Sequence, residues 1–295
     1  MNPELLGVIL AIIGAIFYSV NVLLMRKATT TGRPLDGVMV ILWIGTLFYL
    51  PLTLILYYPS LGLTKISIGA FIFSGIVGMF LGRTSYYEGT KRVGASRTVV
   101  IARGQLLVAS FVSIIFLNEA ISTGHFIGML ILLIGIGAIS YEVKSDTGSR
   151  KNRKYLDLLF PVFTMILWGF SLPTIKFGLS KGTPPVVGLS IQFTTALIAM
   201  SGYFIAKGNS PIKPFRLNEK YYYIAAGLVY SVGMIFIYSA LSLSRTVVIA
   251  PFRSLTPFFT IILSYIFIRK LERFTKILII GSILTVLGSA LVAVL

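Results

Sequence analysis

Ser96-Arg-Thr-Val-Val-Ile-Ala102 recurs residue for residue as Ser244-Arg-Thr-Val-Val-Ile-Ala250. Seven identical residues in order do not repeat by chance in a chain of 295, so the sequence carries a duplication. Each copy follows a tyrosine-bearing apolar run. Downstream of the first, Glu119-Ala-Ile-Ser is followed by Gly128; downstream of the second, Glu272-Arg-Phe-Thr is followed by Gly281. Between the copies lies the one long polar stretch, 142–155, rich in Lys, Arg, Ser, Asp and Gly, which reads as an exposed linker. The chain therefore divides into a first repeat over 1–141, a basic linker over 142–154 and a second repeat over 155–295.

The repeated unit is built for a bilayer. Hydrophobic residues make up 56% of the chain, charged residues 12%, and the mean hydropathy is +0.91, whereas soluble domains are about one quarter charged. Runs free of Asp, Glu, Lys and Arg cover 5–25, 37–64, 66–82, 120–141, 158–175, 182–206, 221–244 and 277–295. Two further spans, 97–118 and 245–268, reach spanning length only if each holds an arginine, Arg103 in one and Arg253 in the other. Ten helices of about 20 residues use roughly 200 residues and leave only short connections. The expected fold is thus an all-α integral membrane protein of ten transmembrane helices. The first run has no basic n-region and no A-x-A site, so it reads as a span and not as a removable signal.

Five spans per half is an odd number, so the second half enters the membrane in the opposite direction from the first. Such an inverted repeat is the usual construction of a secondary transporter, with two similar packings around one midplane site. Nineteen Lys and Arg residues fall in the connections after spans one, three, five, seven and nine, against Lys65, Lys181 and Arg245 on the other side. The positive-inside rule then puts both termini outside, in a cell membrane.

Other classes of function are disfavoured by what the chain lacks. With no cysteine and one histidine there is no thiolate nucleophile and no ordinary zinc set, so neither a metal nor another cofactor is expected. Neither G-x-S-x-G nor H-E-x-x-H occurs, and no aspartate pair lies within a span, so no catalytic set can be assigned. The net charge of +17 sits mostly in short connections beside lipid headgroups, which speaks against nucleic acid. Asp157, Glu88, Glu119 and Glu272 all fall near expected helix ends, so the mid-span carboxylate of a proton-coupled cation pump is missing.

Two halves of five spans, Trp168-Gly-Phe-Ser in the first helix of the second half, and Tyr238-Ser-Ala-Leu running into Ser244 and then Pro257 resemble the drug/metabolite transporter superfamily, in its EamA-like branch. The resemblance implies export of amino acids or other metabolites, with spans one to four and six to nine enclosing a cavity. Tyr18-Ser-Val-Asn21 and Arg103-Gly-Gln depart from the pattern.

The candidate substrate ligands follow from the same layout. Arg103 and Arg253, one and a half to two turns inside equivalent spans, form an expected clamp for carboxylate or phosphate, the alternative being snorkelling or carbonyl capping. Lys176, after Pro173, is a third cation or a snorkelling lysine. Arg83 is read as a local partner of Glu88 near the end of span three. Tyr18, Asn21, Gln105, Trp168, Ser171, Gln192, Tyr87 and Tyr238 are the polar and aromatic candidates on cavity spans, with helix packing as the alternative for the amides. A small anionic or zwitterionic metabolite is the expected substrate, moved by a monomer or homodimer. The alternatives are a neutral or aromatic amino acid with structural arginines, and a channel or receptor.

Overall fold

The computed structural model describes residues 3–117, 123–145, 151–243, 252 and 254–294. The second heptapeptide, Ser244–Ala250, and Arg253 therefore lie outside the described residues, as does Glu119.

All regular structure among the described residues is helical. Spans one and two are α1 (Pro3–Ala28) and α2 (Pro34–Tyr57). Basic Arg26 and Lys27 close α1, where they face the negative end of the helix dipole, and Pro34 opens α2 at a position that has no use for its missing N–H. The charge-free run of span two extends to residue 64, but the helix stops at Tyr57 because Pro59 and Gly62, at φ +60°, cannot continue it.

Span three departs most from expectation. It comprises α3 (Lys65–Ser74), a π-helical stretch (Gly75–Gly82) and α4 (Arg83–Val93), 29 residues or about 43 Å of helix. A capping box formed by Thr64 and Ser67 starts it, and Gly94, at φ +106°, ends it. A charged residue does not stop a helix when its head has somewhere to go, so Arg83 lies mid-span and not near the end.

Span four is α5 (Ala95–Ala102) and α6 (Gln105–Leu117), broken at Arg103-Gly104, where N–H groups reach back three residues instead of four. Spans five to eight are α7 (Thr123–Ser145), α8 (Lys151–Ser180), α9 (Pro185–Ala206) and α10 (Lys220–Leu243). The described part of span nine contains α11 (Thr256–Phe267), and span ten is α12 (Lys276–Val294). Among the described residues, eight spans are long and apolar enough to cross a bilayer, and α11 and α12 are shorter apolar helices.

Packing follows the duplication. Span one lies along span eight, and its counterpart, span six, lies along span three. Span one meets span nine as span six meets span four, and span two meets span eight as span seven meets span three. The pairs two–seven, four–nine and five–ten are their own counterparts, so they lie on the pseudo-twofold that makes the repeat inverted. The five–ten pair is held by glycines: a Cβ on Gly288 would lie 2.5 Å from Leu132 N, and one on Gly128 would lie 2.7 Å from Val292 N. Gly128, Gly135, Gly281 and Gly288 are thus used within the chain, whereas a Cβ on Gly137 would meet open space. Side chains such as Leu47, Ile55, Ile198 and Phe267 point outwards, where the solvent is hydrocarbon.

Candidate functional site

The π-helical stretch sets the site. Its wider turns and three glycines let α8 approach span three closely: a Cβ on Gly78 would lie 2.4 Å from Ser171 Oγ, and one on Gly82 would lie 2.7 Å from the Trp168 ring. Trp168 Nε1 donates to the Gly78 carbonyl at 3.0 Å. The indole then stacks on Tyr86, with ring centroids 5.0 Å apart and planes at 28°. Tyr18 meets the edges of both Tyr86 and Tyr230 at 6.1 Å. These four rings, from spans one, three, six and eight, wall a central cavity of about 150 Å³. A cavity of about 150 Å³ is the size that holds one benzene-sized molecule.

Arg83 enters this cavity from one side. Its guanidinium carbon lies 3.7 Å from the centre of the Tyr230 ring, and Nη2 donates to Tyr230 Oη and contacts Met79 Sδ at 3.3 Å. Nε and Nη1 are buried and make no well-aligned hydrogen bond among the described residues, although the Tyr87 hydroxyl also interacts with this guanidinium. The side chain does not pair with Glu88, as expected from sequence; that carboxylate binds Arg92 at 3.1 Å, one helical turn further on. Among the described residues no Asp or Glu lines the cavity.

The structure brings most of the remaining candidates to the same place. Arg103, Gln105, Tyr18, Trp168, Ser171, Gln192 and Tyr238 all line the cavity. Arg103 arrives there because span four breaks at it, and not from within a continuous helix; beside the break, Gly104 lets Met165 of span six come within 2.3 Å of where a Cβ would stand.

Three candidates are placed elsewhere. Lys176 is exposed on the surface of α8, its long side chain beyond the cavity wall. Asn21 and Tyr87 do not line the cavity but join each other behind it: Tyr87 donates to Asn21 Oδ1 at 2.5 Å, and Asn21 Nδ2 donates to the Ala226 carbonyl at 2.9 Å. They tie spans one, three and eight together. Arg253, the second half of the expected clamp, lies outside the described residues.

Arg83 and Tyr230 are the residues that the sequence reading missed. The signal for Arg83 was present: treating it as span-internal makes 66–93 a single long helix. Tyr230 carries no such mark, being one of 15 tyrosines.

At the end of the bundle that carries most of the connecting Lys and Arg residues, the basic side, lies a polar network. Glu272, buried in the connection between spans nine and ten, accepts from Ala95 N at 2.6 Å and pairs with Arg26 Nε at 3.3 Å. Arg26 also donates to the carbonyls of Lys91 at 2.6 Å and Leu271 at 3.0 Å. Arg97 pairs with Glu142, and Arg92 bridges Glu88 and Asp157 at 3.1 and 3.0 Å. Burial pushes the Glu272 carboxyl above its ordinary value, against the opposing pull of the Ala95 N–H and of Arg26. The network joins spans one, three, four, five and six to the connection between spans nine and ten at one end of the bundle.

No curated protein matches this chain. A solved crystal structure 15% identical in sequence overlays on it with a TM-score of 0.64, covering 97% of this chain and 95% of the other, a likeness of fold. A profile of the EamA-like transporter family matches residues 5–141 and again residues 156–294, and with nearly all of its length accounted for as two such copies the chain belongs to that family.

Proposed function

We propose that this membrane transporter moves a small anionic or zwitterionic organic solute by alternating access around the central cavity, with Arg83 as the partner of the anion. The observation that carries the reading is the buried guanidinium, with two donors that make no well-aligned hydrogen bond, in a cavity that no described carboxylate lines. An arginine placed mid-span is unfavourable by about 2.5 kcal/mol or more, and a carboxylate or phosphate bound there removes the penalty through charge-assisted hydrogen bonds. Arg103 adds positive potential from the break in span four. Tyr18, Tyr86, Trp168 and Tyr230 hold the apolar body of the solute and exclude water, and Tyr230 keeps the guanidinium oriented from below.

The basic side corresponds to the cytoplasm by the positive-inside rule, which makes the Glu272–Arg26 and Arg97–Glu142 network the closed cytoplasmic gate. Opening that side requires these contacts to part. The π-helical stretch of span three and the break at Arg103-Gly104 are the points where the helices can bend.

The test is counterflow in proteoliposomes, each batch preloaded with sugar phosphates, dicarboxylates, zwitterionic amino acids or neutral sugars. Stimulation by an anionic or zwitterionic class, lost in Arg83→Gln and only partly kept in Arg83→Lys, supports the reading. Equal stimulation in wild type and Arg83→Gln rejects it.

A second reading has one observation in its favour, the ring of four aromatic side chains. In that case the solute is a neutral aromatic amino acid and the arginines serve structure. Competition by uncharged aromatic analogues as strong as that by their carboxylates would select it.

A further inference from the structure

Resting on that reading, we infer that the solute carries, besides its anionic head, an amide-type group with a donor and an acceptor side by side, and that Gln192 grips it. Gln192 stands on α9, is 0% exposed and lines the same cavity as Arg83. Both ends of its amide, Oε1 and Nε2, are buried with no hydrogen-bond partner among the described residues.

The contrast with Asn21 is informative, because that amide is equally buried and is satisfied at both ends by Tyr87 and Ala226. An amide that serves packing finds partners within the bundle; Gln192 has been left without them at the cavity wall. Its backbone is held in place, since a Cβ on Gly75 would lie 2.8 Å from the Gln192 backbone carbonyl, so α9 is pressed against the π-helical stretch.

The partner's chemistry follows from the inventory of the side chain. A carboxylate satisfies Nε2 but faces Oε1 with a second acceptor, and a hydrocarbon satisfies neither; a primary amide, lactam or imide edge, which carries N–H and C=O side by side, satisfies both at once, whereas a trans secondary amide points them in opposite directions. Arg83 and Gln192 reach the cavity from neighbouring parts of its wall: the Arg83 head turns back to Met79, and Gly75, earlier in span three, abuts the Gln192 backbone. A solute with a carboxylate at one end and a primary amide at the other, joined by a short apolar segment, fits both.

Three probes separate the terms: the primary amide glutaramate, its shape-matched hydrocarbon analogue 5-methylhexanoate, and pentanamide, which lacks the carboxylate. Binding is read by thermal shift on the purified full chain in detergent and by counterflow inhibition. We expect glutaramate to bind about tenfold or more tightly than 5-methylhexanoate in the wild type. Gln192→Leu, or the closer match in shape Gln192→Met, should bring that ratio to about one, while Arg83→Gln should weaken both carboxylates. Equal binding of the two carboxylates by the wild type, with both lost in Arg83→Gln, overturns the amide inference and leaves the anion reading standing. Pentanamide binding as well as glutaramate, and losing affinity in Gln192→Leu, overturns the anion reading and supports the role of Gln192. No binding of any probe to the wild type overturns the inference.

Discussion

Glu272→Ala offers the sharpest test of how the basic end of the bundle is held. The Glu272 side chain is fully covered, accepts from Ala95 N at 2.6 Å and lies 3.3 Å from Arg26 Nε. Truncation leaves the Ala95 N–H buried without an acceptor, which costs about 1–3 kcal/mol. Arg26 is 15% exposed and keeps its bonds to the Lys91 and Leu271 carbonyls, so its loss is smaller, about 1 kcal/mol after allowing for solvent screening. The sum of about 2–4 kcal/mol corresponds to a fall in Tm of roughly 4–8 °C for a chain of this size. Glu272→Gln keeps an acceptor for Ala95 and should fall by about 2 °C or less at neutral pH. Intrinsic fluorescence during heating in detergent reads both.

The pH dependence of the difference carries a sign. Because burial raises the carboxyl in the folded protein, the folded state holds this proton more tightly than the unfolded one, and the associated stability is fully present below the ordinary carboxyl value of about 4.5. It is lost as pH rises through the folded value. Glu272→Gln has no proton to lose, so the Tm of the wild type minus that of the variant should shrink as pH is raised from about 4.5. An alanine variant that melts within about a degree of wild type would refute the reasoning, as would a glutamine variant as damaged as the alanine one.

Three further outcomes are expected. Gly82→Val drives two methyl groups into the Trp168 ring, so it should separate Trp168 from Tyr86 and change the Trp168 emission, read in a Trp43→Phe background that keeps a single tryptophan. Gly288→Leu places side-chain atoms where the α7 backbone runs, and overpacking of this kind costs about 1–3 kcal/mol or more, visible as a lower Tm with no local change at the cavity. Asn21→Leu strips Tyr87 of its acceptor and should lower stability by about 1–3 kcal/mol while leaving solute selectivity unchanged, whereas Gln192→Leu should alter selectivity more than Tm.

How much of this was legible beforehand depended on what each signal measures. The heptapeptide at Ser96 and Ser244, together with hydropathy, was enough for ten spans in two opposed halves, since burial of an apolar helix in lipid is a local property of its own sequence. Charge-free runs were a poorer guide to helix ends. At Arg83 the run stops while the helix goes on, and at Pro59 the helix stops while the run goes on. The cavity was partly legible, because amides and aromatic residues in hydrocarbon need a reason to be there. Asn21 and Gln192 nevertheless look alike in sequence, and only the arrangement of neighbouring spans separates the bonded amide from the unbonded one. The pairing of Arg83 with Tyr230 is set by packing between the halves, which no single run encodes.

That pairing has a consequence for how the protein is made. Arg83 and Tyr230 are 147 residues apart, and at about 5–20 residues per second the ribosome needs roughly 7–30 s to go from one to the other. During that interval span three must already be delivered to the membrane with its guanidinium lacking the ring that later covers it. The first five helices on their own therefore form an unfinished intermediate whose weak point is Arg83, exposed to lipid or sheltered by the insertion machinery until the second repeat arrives.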